Sequence, residues 1–367
     1  MKTKRLFFID AVRAIAILMM LQGHFIDTLL DPQYRSNNFT AYRIWSYFRG
    51  ITAPTFFTIS GFIFTYLLIK AKQKGELNLR IKKGFIRGFM LMGIGYFLRI
   101  PLFEWLKGNF GTYWLTVDVL QCIGLSLIMI ILLYIITFKK TFLFSMVLLF
   151  LGIFIFLSEP WFRNIEINHL PLAIANYFTL ANRSVFTILP WFGYLAFGGF
   201  ISTIFYRFLE HNTFKKYIII GFFVLGVFLI QFSTHFLYLL NQLTDIEIFR
   251  LSAGYNYLFK RLGDVLILFA IFYLLEDVLK HFLILKIGQK TLSIYVIHFI
   301  IIYGSITGFG LNRFIGKTLH PWEAVFGALT FWVVVCVIAL NYTKTNQFFY
   351  NKILLFVNAV KKKLNID

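Results

Sequence analysis

The chain has 367 residues, 59% of them apolar and 20% aromatic, with only 14% charged and a mean hydropathy of +0.75. Soluble domains hold about 25% charged residues and lack repeated apolar runs of ~18 or more, so these values exclude a soluble globular fold. The net charge of +20 does not point to nucleic acid, because the basic residues flank apolar runs instead of forming one patch.

The composition implies an all-α, polytopic membrane bundle, since the alternating segments of an outer-membrane barrel are missing. Ten spans are predicted: 7–30, 51–69, 85–103, 116–137, 142–158, 186–206, 217–239, 262–279, 289–306 and 322–342. The Lys2–Arg5 cluster leads into a run too long for a signal-peptide core and without a convincing cleavage site, so the first span is expected to stay as a signal anchor. The third is the weakest, broken by Arg87 and Arg99 and ended by Pro101. Cys122 and Cys336 both fall within spans and supply neither a disulfide framework nor a metal motif. One domain over 1–367 is expected. Loops on the side of the N-terminus hold 23 basic residues and those on the other side 12, which predicts both termini in the cytoplasm. The long outer segments 159–185 and 240–261 mix polar and aromatic residues, a composition suited to a lid over an outward mouth.

The first span carries Asp10, Arg13 and His24. At 100° per residue His24 lies about 40° from Asp10 and about 20° from Arg13, roughly 21 Å and 16 Å further along the axis. An ionisable residue in hydrocarbon costs at least ~2.5 kcal/mol, so three on one stripe need partners or a polar cavity. Asp10–Arg13 reads either as an i,i+3 ion pair at the interface or as a clamp for an anionic group. His24 reads either as a hydrogen-bonded bundle histidine or as a general base or nucleophile. Asp27, one turn on, either orients the imidazole or solvates the helix end.

Further along, Arg49-Gly50-Ile51-Thr52-Ala53-Pro54 opens the second span, and Ser60-Gly61 within it permits close helix approach. Val117-Asp118-Val119-Leu120-Gln121-Cys122-Ile123-Gly124 starts the fourth, Leu189-Pro190-Trp191-Phe192-Gly193-Tyr194 opens the sixth, and Ile287-Gly288-Gln289-Lys290-Thr291-Leu292-Ser293-Ile294-Tyr295-Val296-Ile297-His298 opens the ninth.

On these residues the chain resembles the transmembrane acyltransferase superfamily, in particular bacterial relatives of heparan-α-glucosaminide N-acetyltransferase. It is more distantly similar to the acyltransferase-3 proteins that acetylate surface polysaccharides. The resemblance runs over 6–305 and is most specific in the Asp-x-x-Arg…His opening. In acyltransferase-3 proteins the histidine eleven residues after the motif arginine is catalytic, and here that position is His24. The lysosomal branch has its catalytic histidine further on, whereas this chain has none between Phe25 and Asn168. By the same analogy His298 is a structural or cavity histidine.

The resemblance implies a membrane acyltransferase of the bacterial inner membrane, using acyl-CoA, usually acetyl-CoA, bound from the cytoplasm, and no metal. Its acceptor would be a hydroxyl or amine of a sugar or glycan. Lys70, Lys72, Lys74, Arg80, Lys82, Lys83 and Arg87 suit the phosphates of coenzyme A, although positive-inside topology explains a basic loop as well. Asp10, Arg13 and Arg87 are the expected donor-binding residues, with His24 and Asp27 catalytic. The expected partners are the bilayer, the thioester, the glycan and a second copy of the chain. A transporter that uses the Asp/Arg/His stripe as an ion or substrate path is the alternative, and a non-catalytic scaffold the other.

Overall fold

A computed structural model of the protein describes residues 6–363, with side chains as far as Tyr342. In chain order its helices are α1 (Phe7–Leu29), α2 (Thr40–Arg49), α3 (Thr52–Gln73), α4 (Leu77–Arg99), α5 (Leu102–Leu106) and α6 (Val119–Ile136). There follow α7 (Thr141–Phe162), α8 (Leu172–Ala175), α9 (Ile188–Phe208), α10 (Phe214–Gln231), α11 (Ser233–Thr244) and α12 (Glu247–Gly254). The last are α13 (Tyr257–Leu274), α14 (Phe282–Gln289), α15 (Thr291–Tyr303), α16 (Leu311–Phe314) and α17 (Pro321–Lys363). The protein is an all-α polytopic bundle. Among the described residues seven helical segments are long and apolar enough to cross a membrane, or eight if the bent pair α14–α15 is one span. Two more expected spans coincide with α4 and α13, helices of 23 and 18 residues that carry Arg80, Lys82, Lys83, Arg87 and Arg99 or Lys260, Arg261 and Asp264.

Several boundaries differ from the sequence expectation, each for a local reason. Between Gly75, whose φ of 75° ends the preceding turn, and Pro101 nothing interrupts a helix, so α4 begins at Leu77 and takes up three of the loop's basic residues. The eighth span starts earlier because its charges are satisfied inside the bundle: Arg261 Nη1 donates to Asp264 Oδ2 at 3.0 Å, and Asp264 accepts from the Tyr47 hydroxyl at 2.6 Å. The expected ninth span is met by α15 from Thr291, but the stretch before it forms the additional helix α14, which meets α15 at 70° across Lys290. The segment before Thr52 holds α2, whose Ile44, Tyr47 and Phe48 are exposed while Trp45 turns back to donate to Gln22 on α1.

Transmembrane helices gain little from hydrophobic burial against each other and rely on close packing. Here glycines supply it. A Cβ at Gly61 of α3 would stand 1.9 Å from the Leu195 carbonyl oxygen of α9, and one at Gly198 of α9 1.8 Å from the Thr58 oxygen, so the two backbones touch. Gly88 and Gly124 pair α4 with α6 in the same way, and Gly226 and Gly263 pair α10 with α13. Where α1 begins, Phe8 packs among Phe205, Phe62 and Tyr273, and Glu276 Oε1 accepts from the amides of Phe7 and Phe8 at 3.0 and 3.3 Å. These contacts satisfy donors that a helix start leaves open. Just outside the spans, the Lys280 ammonium bonded to Asp277 holds that carboxyl below the usual carboxylate range.

Candidate active site

A cavity of about 640 Å³ runs along one face of α1. Arg13, Ile17, Met20, His24 and Asp27 line it at helical spacing, and α3, α4, α6 and α15 form its other walls. Fourteen residues separate Arg13 from Asp27, so the cavity extends over about 21 Å of helix axis.

At the end where α1 begins, Arg13 Nη2 donates to Thr291 Oγ1 at 3.0 Å, and Nη1 stands 3.7 Å from Asp10 Oδ1. The break at Lys290 makes the first contact possible by setting the first residue of α15 against α1. Gly288 lies so close that a Cβ there would stand 2.0 Å from the Asp10 oxygen. Asp10 therefore sits behind Arg13 and outside the cavity lining, while Arg80 and Arg87 join Arg13 in it. The Arg80 Nε is buried without a hydrogen-bond partner. A smaller hollow of about 200 Å³ adjoins this end, sharing Leu67 and Arg80 with the main cavity and adding Lys70, Lys74 and Lys83 together with one carboxylate, Glu76.

Deeper in, His24 Nδ1 lies 2.8 Å from the Tyr303 hydroxyl, and the His24 and His298 ring centroids are 5.1 Å apart. His298 is fully buried, and its ring nitrogens have no hydrogen-bond partner. Tyr295, which lines the cavity, meets the His298 ring edge to face at 4.9 Å. Asp27 has a different partner from the one expected. Its carboxylate forms an ion pair with Arg49, whose guanidinium lies over Trp45 at 5.8 Å. Asp27 stands a turn beyond His24, near the helix end, where α2 brings Arg49 to it; the group bonded to the imidazole is Tyr303. At this far end Gly50 and Tyr257 complete the lining.

The structure thus gathers Arg13, Arg87, His24 and Asp27 around one cavity and holds Asp10 one layer back. The sequence assigned no site role to Thr291 and Tyr295, although both stand in the motif that opens the ninth span, and did not single out Tyr303. The first two share a face with His298 at i, i+4 and i+7, a helical spacing visible in the motif that opens the ninth span.

No curated protein matches the chain. The family described as heparan-alpha-glucosaminide N-acetyltransferase, catalytic, matches residues 5–243, a stretch that holds Asp10, Arg13, His24, Asp27 and Arg87 and ends before α15. With well over half of its length matched, the chain belongs to the heparan-alpha-glucosaminide N-acetyltransferase catalytic family.

Proposed function

We propose that this protein is a membrane acetyltransferase that moves an acetyl group from acetyl-CoA to a hydroxyl or amine of a sugar or glycan. The observation that carries the proposal is the single cavity joining a cationic end, at Arg13, Arg80 and Arg87, to His24 and then to the Asp27–Arg49 end. Phosphates of the donor suit the cationic end and its basic side hollow, because charge-assisted contacts from arginine and lysine are the strong ones for phosphate. His24 stands about 16 Å further along α1, a distance that an extended pantetheine arm covers. As the acceptor oxygen or nitrogen attacks the thioester carbonyl, the C–S bond breaks; His24 takes the acceptor's proton and returns it to the thiolate. A route through an acyl-histidine uses the same placement. One broken helix lining a cavity also occurs in transporters, but these pair two breaks in corresponding halves, and one bent pair is found among the described residues.

Arg13 tests the donor end. Its substitution by alanine is expected to weaken acetyl-CoA binding about 10- to 100-fold, since a charge-assisted hydrogen bond contributes ~1.5–3 kcal/mol. If Arg13→Ala melts at a lower temperature yet binds the donor with unchanged affinity, Arg13 serves only Asp10 and Thr291 and leaves the site.

Orientation is tested separately. The excess of basic residues in the loops on the N-terminal side implies that the donor end faces the cytoplasm. Tags at residues 75 and 212 and at the C-terminus should report cytoplasm, and tags near 37, 170 and 250 the opposite side. An external C-terminus would reverse the assignment of donor and acceptor ends.

A further inference from the structure

Tyr303 lies beyond the segment that the family matches and reaches His24 from behind the cavity lining. We propose that Tyr303 is the positioning residue of the transfer reaction: its phenolic oxygen accepts the Nδ1–H of His24, which makes Nε2 the nitrogen that takes the acceptor's proton. The assignment rests on the reading of His24 as the reacting histidine given above.

A neutral imidazole carries one N–H, and which nitrogen bears it decides which can act as a base. In serine-protease triads a carboxylate, which can only accept, fixes the tautomer; a phenol can accept or donate, and Tyr303 in this role accepts from Nδ1. Here the 2.8 Å contact engages Nδ1, while the His298 ring, 5.1 Å away by centroid, limits the room for the imidazole to turn out of it. Thr28 Oγ1, one helical turn beyond His24, donates to the same phenolic oxygen at 3.4 Å, so that oxygen serves as acceptor on this side too. In the reaction the bond from acceptor to acyl carbon forms and the C–S bond breaks. The proton passes from the acceptor to Nε2 and then to the thiolate sulfur, and the Nδ1–H stays on His24, its bond to Tyr303 strengthened while the ring is charged.

The backbone holds Tyr303 where this role needs it. Tyr303 ends α15, and the next residue, Gly304, has a φ of 75° that side-chain-bearing residues rarely adopt. A Cβ at Gly304 would also stand 2.4 Å from the Phe309 amide nitrogen. Ser305 Oγ then donates to the Leu98 carbonyl at 2.9 Å, tying the turn to α4, and the Phe299 ring packs on Tyr303 at 4.9 Å. A phenylalanine at this position keeps the ring packing and loses only the hydroxyl.

The test combines ¹⁵N-histidine spectroscopy of the purified full-length protein with turnover of acetyl-CoA, followed as thiol release with glucosamine as acceptor probe. The signal that disappears in His24→Gln should report an Nδ1–H tautomer in the wild-type protein. In Tyr303→Phe it should move toward the Nε2–H form, and kcat should fall at least about ten-fold while KM for acetyl-CoA changes less than about two-fold. A wild-type His24 protonated on Nε2 overturns the assignment, and this readout needs no Tyr303 variant to fold. So does a Tyr303→Phe protein with wild-type kcat alongside an inactive His24→Gln. Full turnover by His24→Gln would instead remove the reading of the reaction itself.

Discussion

His24→Ala is expected to yield a folded protein that binds acetyl-CoA normally and turns it over at least ~10²-fold more slowly, the usual contribution of a positioned acid–base group. The two effects separate because of position. His24 lies about 16 Å along α1 from Arg13, too far to share the contacts of the cationic end, yet on the same face and in the same cavity. Its Nδ1 is engaged by Tyr303, so one nitrogen is left for chemistry. A histidine kept only for packing would show the reverse pattern, with melting temperature lowered and turnover per folded molecule preserved. Thiol release from acetyl-CoA, measured beside thermal unfolding of the same preparation, distinguishes the two. Near-normal transfer by His24→Ala would make His298, whose ring lies 5.1 Å away, the next candidate base.

Gly198→Leu is expected to prevent recovery of folded protein, and Gly198→Ala to lower its melting temperature by several degrees. Any side chain at this position meets the backbone of α3: a Cβ would stand 1.8 Å from the Thr58 oxygen and 2.7 Å from its carbonyl carbon. Backbone atoms cannot rotate aside as a side chain can, so the two helices must part. Overpacking of this kind costs about 1–3 kcal/mol or more. The damage also reaches the site, since Phe56, Ser60 and Phe64 of α3 form a cavity wall. Gly93→Ala on α4 is the control: nothing lies within 4 Å of a Cβ there, and alanine is the better helix former. Equal thermal stability of Gly198→Ala and Gly93→Ala would mean that α3 and α9 do not cross as closely as their glycines allow.

What the sequence disclosed and what it withheld divide along the range of the interactions. The stripe from Arg13 to Asp27 was legible because helical periodicity is local: a spacing of eleven residues places His24 on the face of Arg13 whatever surrounds it. Close approach at Ser60-Gly61 was legible for a similar reason, although the partner, Leu195, was not. The helix α14 was hidden because it is only eight residues long and lies among Lys280, Lys286 and Lys290, which read as a basic loop; the bend accompanies the packing of Gly288 on the Asp10 carbonyl, about 278 residues away in sequence. The partner of the imidazole was hidden too. One helical turn links Asp27 to His24, which suggested an orienting carboxylate, but α2 brings Arg49 to Asp27 and α15 brings Tyr303 to His24. The helical identity of α2 was masked by its short length among loop-like residues, and the early start of α13 by charges that pair within the helix, Arg261 with Asp264, and meet Tyr47 of α2.

Binding of acetyl-CoA to the detergent-purified wild-type protein, followed by calorimetry, tests the central claim most directly, because it requires neither a known acceptor nor a settled mechanism. Saturable binding, displaced by free coenzyme A, weakened about 10- to 100-fold in Arg13→Ala and retained in His24→Ala, is the expected result. A folded wild-type protein that binds neither acetyl-CoA nor coenzyme A would contradict the account.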